Sequence, residues 1–407
     1  METMEMTTAA AVEKQGYKLT KLGWIPEEWD VRKLDDVAEI HNHLRFPLSE
    51  TVRKGMQGPY PYYGPTKAQD YLDHFRVEGK YVLIGEDGDH FLKFQTHPMT
   101  LLVDGQYNVN NHAHLIKGTE SCETEWVYWF FNSRDLTNDI TRQGAGRYKL
   151  TKDALKRLLL VVPPVAEQRA IINILNGLKI QEKVILALVK AKSTYKSGLM
   201  QQLLTGQLRF PEFQGQPWHE QRISSLITES RIPGSNGKAA KKLTVKLYGK
   251  GVLAKNERQI GSVNTKYYAR KAGQFIYSKL DFLNGAFGLI PEELDGYEST
   301  LDLPTFDISP EVDASLLLAY FSREEFYARF ADIAAGGRKA VRIGPEELLK
   351  KKILLPSLPE QQRIAAVLNA CDQEIELLQA QLRQWQQQKK GLMQQLLTGQ
   401  LRVPNSL

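Results

Sequence analysis

Gly198-Leu199-Met200-Gln201-Gln202-Leu203-Leu204-Thr205-Gly206-Gln207-Leu208-Arg209 returns unchanged as Gly391 to Arg402, at an offset of 193 residues. The register extends backwards without a gap. Pro163 meets Pro356, Glu167-Gln168 meets Glu360-Gln361, Ile171 meets Ile364, and Leu175-Asn176 meets Leu368-Asn369. Chance does not give twelve consecutive identities, so the chain is an internal duplication, and that decides the architecture before any local propensity is read.

The repeated segment has helical periodicity. In the second copy Leu368, Cys371, Ile375, Leu378, Leu382, Trp385, Leu392 and Leu396 follow a 3,4 alternation interrupted at Lys389, the seam of a coiled coil. The first copy carries Leu175, Leu178, Ile185, Val189, Leu199 and Leu203, broken by Glu182, Lys192 and Lys196. Ser357, Pro359 and Glu360 predict a capping box at the start of the second copy, and Gly399 followed by Pro404 predicts its stop. About 40 residues per copy gives roughly 60 Å of helix at 1.5 Å per residue. Such a helix cannot bury its stripe alone. The economical arrangement packs the two copies on each other and leaves surface for other chains.

The segments preceding the helices correspond loosely. Trp29, Leu34 and Val37 resemble Trp218, Ile223 and Leu226. Gly79 to Ile84 and Gly273 to Ser278 each read as a half-buried strand, and Glu125 to Arg134 and Ser315 to Glu324 as amphipathic helices. A basic glycine-containing loop follows each: Arg142 to Lys149, and Gly336 to Arg342. The expected plan is α+β, used twice: a tail 1–16, globular domains 17–160 and 213–354, and repeated helices 161–212 and 355–407 related by a pseudo-twofold. Scaffold alike and domain surfaces different is the pattern to explain.

Composition is that of an ordinary folded protein, 42% hydrophobic and 25% charged over 407 residues. A net charge of +6 fits a polyanionic partner. Met1 to Gly16 lacks the basic start and apolar core of a signal peptide, and no run approaches membrane-spanning length. Cys122 and Cys371 cannot build a disulfide framework. These features point to a cytoplasmic protein without membrane contact.

Catalytic signatures do not assemble. Gly79-Lys80, Gly237-Lys238 and Gly249-Lys250 lack the following Ser or Thr of a phosphate loop, and the Asn/Asp-Pro-Pro-aromatic tetrapeptide of an adenine methyltransferase does not occur. His41-Asn42-His43 lacks the dispersed metal-binding unit of the nucleases whose name it spells. Asp70, Asp73, Glu78 and Lys80 have short-range spacings that surface charge also produces. His112-x-His114 is too little for a metal site. We expect no catalytic residue, no bound metal and no cofactor on this chain.

Nucleic-acid signals are stronger. From Arg231 to Arg258 basic residues including Lys241, Lys242, Lys246 and Lys250 interleave with glycines, supplying charge to phosphates where the backbone can approach closely. The two basic loops recur at corresponding places, with Arg142, Arg147 and Lys149 in one and Arg338, Lys339 and Arg342 in the other. His41, Asn42, Arg45, Tyr63 and Lys67 have side chains able to reach base edges or lie against DNA.

The ordered set of motifs resembles the specificity subunit of type I restriction-modification enzymes. The set comprises Gly16 to Trp29 (GYKLTKLGWIPEEW), the Pro163 to Gln168 and Ser357 to Gln361 junctions, the two Leu-Leu-Thr-Gly endings, Tyr248 to Val252 (YGKGV) and Asn284 to Gly288 (NGAFG). The resemblance implies two target-recognition domains, each reading one half of a split asymmetric duplex site, held apart by antiparallel helices that fix the unread spacer. It implies two docked methyltransferase subunits carrying S-adenosylmethionine chemistry, and two motor-nuclease subunits using ATP and Mg²⁺. The seam positions Leu175, Leu178, Ile185, Leu199, Leu203, Leu368, Ile375, Leu378, Leu382, Trp385, Leu392 and Leu396 are then candidates for framework packing and subunit docking. Duplex faces recur about every 34 Å, within reach of such helices.

Overall fold

The computed structural model describes residues 14–143, 147–256, 261–334 and 342–403. Two α+β units emerge, and each draws on both copies of the repeat: Met1–Ile185 with Leu382–Leu407, and Leu186–Gln381.

In the first unit an antiparallel sheet runs in the order Ala38–Ile40, Ala113–Gly118, Tyr81–Gly85, Thr100–Val103. A mixed sheet runs Ala68–Leu72, Gln57–Tyr63, Gln106–Val109, Val77–Glu78, and the helix Thr124–Phe131 packs nearby. The expected half-buried strand is instead buried at all five positions of Tyr81–Gly85. Its alternate side chains enter two cores: Val82 and Ile84 join Trp126 and Trp129, while Tyr81 and Leu83 join Val109 and Leu115. A strand with apolar cover on both faces has no polar side.

The second unit repeats this logic. The strand Phe275–Tyr277 is fully buried, with Phe275 and Tyr277 in one core and Ile276 in another. Its sheet runs Ile227–Ser230, Thr305–Ile308, Phe275–Tyr277, Phe287–Leu289, with the helix Ala314–Phe321 in the position of Thr124–Phe131. Each domain is closed by pairing its last strand with one near its start, Leu159–Val162 with Asp30–Lys33, and Lys352–Leu355 with His219–Arg222. The chain leaves each closure directly into a long helix, Val165–Leu203 (39 residues) or Leu358–Leu397 (40 residues).

The helix stops are alike. Gly206 and Gly399 have φ of +71° and +70°, and the amides of Leu208 and Leu401 donate back to the carbonyls of Gln202 and Gln395 at 3.1 Å. The helix start departs from expectation. Ser357 Oγ is buried without a partner, so the capping box does not form. Glu360 is held by Arg209 instead, at 2.9 and 2.7 Å.

That ion pair belongs to a set of contacts made once in each unit. In the first, Glu167 (2% exposed) accepts from Arg402 at 2.8 and 3.1 Å. Gln168 donates to the Pro163 carbonyl and accepts from the amide of Glu123, the N-cap of the helix Thr124–Phe131. In the second, Gln361 donates to the Pro356 carbonyl and accepts from the amide of Asp313, the N-cap of Ala314–Phe321. The repeated Glu-Gln therefore binds the tail of the other copy with its carboxylate and orients its own domain's helix with its amide.

Within each unit the two helix segments run antiparallel. In the first, Glu167 meets Arg402 while Glu182 meets Gln386 and Lys389, at 2.9 and 2.6 Å. Leu175 and Leu396 are buried there, with Leu178 and Leu392 packed against the same core; Ile185 is buried, and Leu382 and Trp385 are half-buried. Trp385 also donates to the Leu178 carbonyl. In the second unit Leu203 and Leu368 are buried, while Leu199, Ile375 and Leu378 are half-buried. The charged residues that interrupt the stripe pair across it: Lys389 with Glu182, Lys196 with Asp372 at 2.6 Å, and Lys192 with Glu374. Polar seam positions of this kind fix register and partner orientation rather than adding bulk stability.

Candidate nucleic-acid interface

In the second unit the strands Leu243–Val245 and Val252–Ala254 form a hairpin whose tip, Lys246 to Gly251, carries exposed Lys246, Tyr248 and Lys250. Tyr248 is 70% exposed and adopts φ +59°, which an L-residue enters only when the surroundings impose it. The imposing contacts are amide bonds from Tyr248 to the Asn284 carbonyl (2.9 Å) and from Gly249 to the Gly285 carbonyl (3.0 Å), with Gly249 and Gly251 also at positive φ. The YGKG and NGAFG motifs are thus two sides of one clamp. It presents an aromatic ring and two ammonium groups on a fixed backbone. Lys241 is exposed at the same hairpin's base.

Other cations in this basic stretch have structural duties. Lys242 is 7% exposed and lies over the Tyr267 ring, so it does not offer its charge to a phosphate. Arg342 pairs with Asp302 at 3.1 Å on an exposed surface. Arg338 and Lys339 lie outside the described residues. Sequence reading passed over Arg270, which is fully buried and donates to Ser299 Oγ and the Ser230 carbonyl. Burial lowers its pKa to about 10. Nothing in the local sequence separates it from its exposed basic neighbours.

In the first unit the hairpin Thr141–Gln143 with Arg147–Lys149 forms the corresponding basic loop; the Arg142 and Arg147 side chains lie outside the described residues. Lys149 pairs with Glu86 at 3.3 Å. Glu86 also takes Arg45, at 2.7 Å, and Arg45 and Asn42 both donate to His114 Nδ1, at 2.7 and 2.9 Å. Arg45 and Asn42, expected at base edges, are both half-buried and hydrogen-bonded within the domain. Tyr63 stands edge-to-face on Tyr107, and His41 bonds Glu39 and packs on Tyr81. Lys67 remains exposed in a turn. The scattered acids stay apart: Asp70 pairs with Arg53, Asp73 with His74, and Lys80 with Glu125. Among the described residues, no cluster of three or more His, Cys, Asp or Glu is arranged to hold a metal.

His114 has no exposure and donates from Nε2 to the Leu150 carbonyl at 2.9 Å, leaving Nδ1 as the acceptor of the neutral ring. Burial lowers its pKa from 6.5 to about 4. The unfolded chain therefore binds the extra proton first, and stability falls as pH drops from about 6.5 towards 4, by up to about 3 kcal/mol over the window. Urea denaturation of the full chain across that range should show this loss, and His114→Gln should flatten it. Equal slopes for both proteins would assign the pH dependence to another group.

A profile of the type I restriction modification DNA specificity domain matches residues 26–187. A type I restriction enzyme specificity subunit of Haemophilus influenzae is 33% identical over 151 residues, 37% of each chain. The MjaX specificity subunit of Methanocaldococcus jannaschii aligns over 96% of this chain and 97% of its own length at 23% identity. The chain is thus similar to type I restriction enzyme specificity subunits, over residues 26–187 by the domain profile and along nearly its whole length by the Methanocaldococcus relative. The crystal structure of the S subunit from M. genitalium shares the fold, with a TM-score of 0.59 over 93% of this chain and 98% of that one at 12% identity. Specificity subunits are the non-catalytic recognition components of these systems. The match to the Haemophilus protein spans little more than a third of that relative's length. Among the described residues no helix is long and apolar enough to cross a membrane.

Proposed function

We propose that this chain reads a bipartite duplex DNA target, each globular domain contacting one half-site. The long helices set the unread spacing and dock two methyltransferase subunits, and two motor-nuclease subunits complete the assembly. S-adenosylmethionine, ATP and Mg²⁺ serve those partners, in the cytoplasm.

One observation carries the reading. The Glu-Gln contacts recur residue for residue in both units, through Glu167 with Arg402 and Glu360 with Arg209. The surfaces those contacts position do not recur: a constrained Tyr-Gly-Lys-Gly tip projects in one unit, and an Arg45-Glu86-His114 network underlies the other. Natural duplication that preserves a framework while its displayed surfaces diverge suits two readers of unlike sequence. A symmetric pair of identical readers is restricted to a palindrome.

The test is to express the full chain with its methyltransferase subunit and map methylated adenines genome-wide. A single split motif with unlike halves is expected. An undivided or palindromic motif would sink the proposal.

A further inference from the structure

The second unit has a cavity of about 820 Å³, open to solvent, between the helix Ala314–Phe321, the long-helix segments and the inner side of the Tyr248–Gly251 tip. The first unit shows what the same position holds when it is filled. Counting six residues from the two N-caps that the repeat glutamines bind, Glu123 and Asp313, brings Trp129 in one unit against Ala319 in the other. Trp129 is 1% exposed and donates to Asn176 Oδ1 at 3.2 Å; Lys389 lies over its ring at 6.0 Å.

The surroundings of that tryptophan survive in the second unit without the tryptophan. Asn369, Lys196, Met200 and Leu368 line the cavity and are the repeat counterparts, unchanged in type, of Asn176, Lys389, Met393 and Leu175. Asn369 is exposed, whereas Asn176 is half-buried and donates to Glu125 besides accepting from the indole. Lys196 has turned to Asp372, the residue standing where the first unit has Lys179. The retained wall offers a ring-sized apolar floor, an amide acceptor for an N–H or O–H, and a nearby ammonium group, the combination that recognises an amphipathic aromatic side chain.

We propose that this cavity receives a tryptophan or tyrosine ring from the methyltransferase subunit, completing in the second unit the packing that Trp129 supplies in the first. The choice of that subunit rests on the function proposed above. The lining carries two cations, Lys196 and Lys250, and two anions, Asp372 and Glu376, so charge does not choose between a protein ring and a nucleobase; the choice rests on the sister site, where a protein ring, Trp129, fills the same position. Aromatic anchors seated in preformed pockets are the usual centres of binding energy at protein interfaces.

Ala319→Trp in the full chain rebuilds the sister site and tests the assignment. Free indole should shift the wild-type resonances of Ala319 and Asn369 and leave those of the A319W chain unmoved. The A319W chain should bind the methyltransferase subunit about ten-fold more weakly, with its own DNA affinity unaltered. Should A319W fail to fold, Asn369→Ala removes an exposed amide and is expected to weaken the subunit about three-fold without lowering the Tm. Unchanged subunit affinity in a folded variant overturns the proposal, and so does a loss that appears in DNA affinity, which would assign the cavity to a base. The wild-type methylation map is independent of either variant, so failure here leaves the bipartite reading standing, and failure there is seen separately.

Discussion

Glu167→Ala is expected to lower the stability of the first unit by about 3 kcal/mol, and Glu360→Ala to cost the second at least about 1 kcal/mol less, although the two glutamates occupy the same place in the repeat. Glu167 accepts from the indole N–H of Trp29 at 2.8 Å as well as from Arg402. Trp29 has no exposure, so its N–H cannot turn to water when the carboxylate is removed. A stranded buried donor alone costs about 1–3 kcal/mol, and lost charged hydrogen bonds and volume add to it. Glu360 has no such dependent: the Trp218 indole N–H makes no hydrogen bond in the native fold, and Arg209 can swing to solvent. Urea denaturation of the full chain, with exchange of the Trp29 indole proton as a local probe, separates the two. Equal losses would show that the Trp29 bond adds nothing.

Joint replacement of Lys246 and Lys250 by alanine should reduce the salt dependence of DNA binding by the assembled complex by nearly two in log–log slope. Affinity at moderate salt should fall by at least about ten-fold. Both residues sit on a tip whose backbone is fixed by amide bonds to Asn284 and Gly285 and whose neighbouring lysine, Lys242, is buried. Their charges are thus offered to solvent on a rigid support, and ordering them on DNA costs little conformational entropy. Loss should be similar across target and non-target duplexes, because ammonium groups on a phosphate backbone carry no base information. A slope unchanged within error would place the DNA elsewhere on this unit, and a loss confined to the target sequence would move the lysines to base edges.

The basic residues picked from sequence divide sharply once the fold is known. Lys246, Lys250, Lys241 and Lys67 are exposed, while Lys242 and Arg45 are engaged internally. Charge and glycine spacing are the same for both groups. What separates them is which distant groups the fold brings against each side chain, the Tyr267 ring for Lys242 and Glu86 for Arg45. Glu86, His114 and Lys149 converge with Arg45 from four distant stretches of chain.

Sequence alone determined the duplication, the two helices, their apolar stripes and their glycine stops, because each is a local pattern: an identity at fixed offset, a 3.6-residue period, a residue free to take positive φ. It also carried the resemblance to type I specificity subunits, since the order of motifs along the chain is a linear property. Tertiary structure decided how those pieces combine. Helix ends from one copy dock on the Glu-Gln of the other, the stripe's charged interruptions pair across the seam, and the strands taken as half-buried are covered on both faces. The retained tryptophan site without its tryptophan is likewise a matter of space. Ala319 is unremarkable in its own helix, and the room it leaves appears only when Asn369, Lys196 and Met200 are brought around it. Local patterns follow from backbone geometry within a few residues; burial, ion pairing and empty volume depend on partners that folding alone brings into contact.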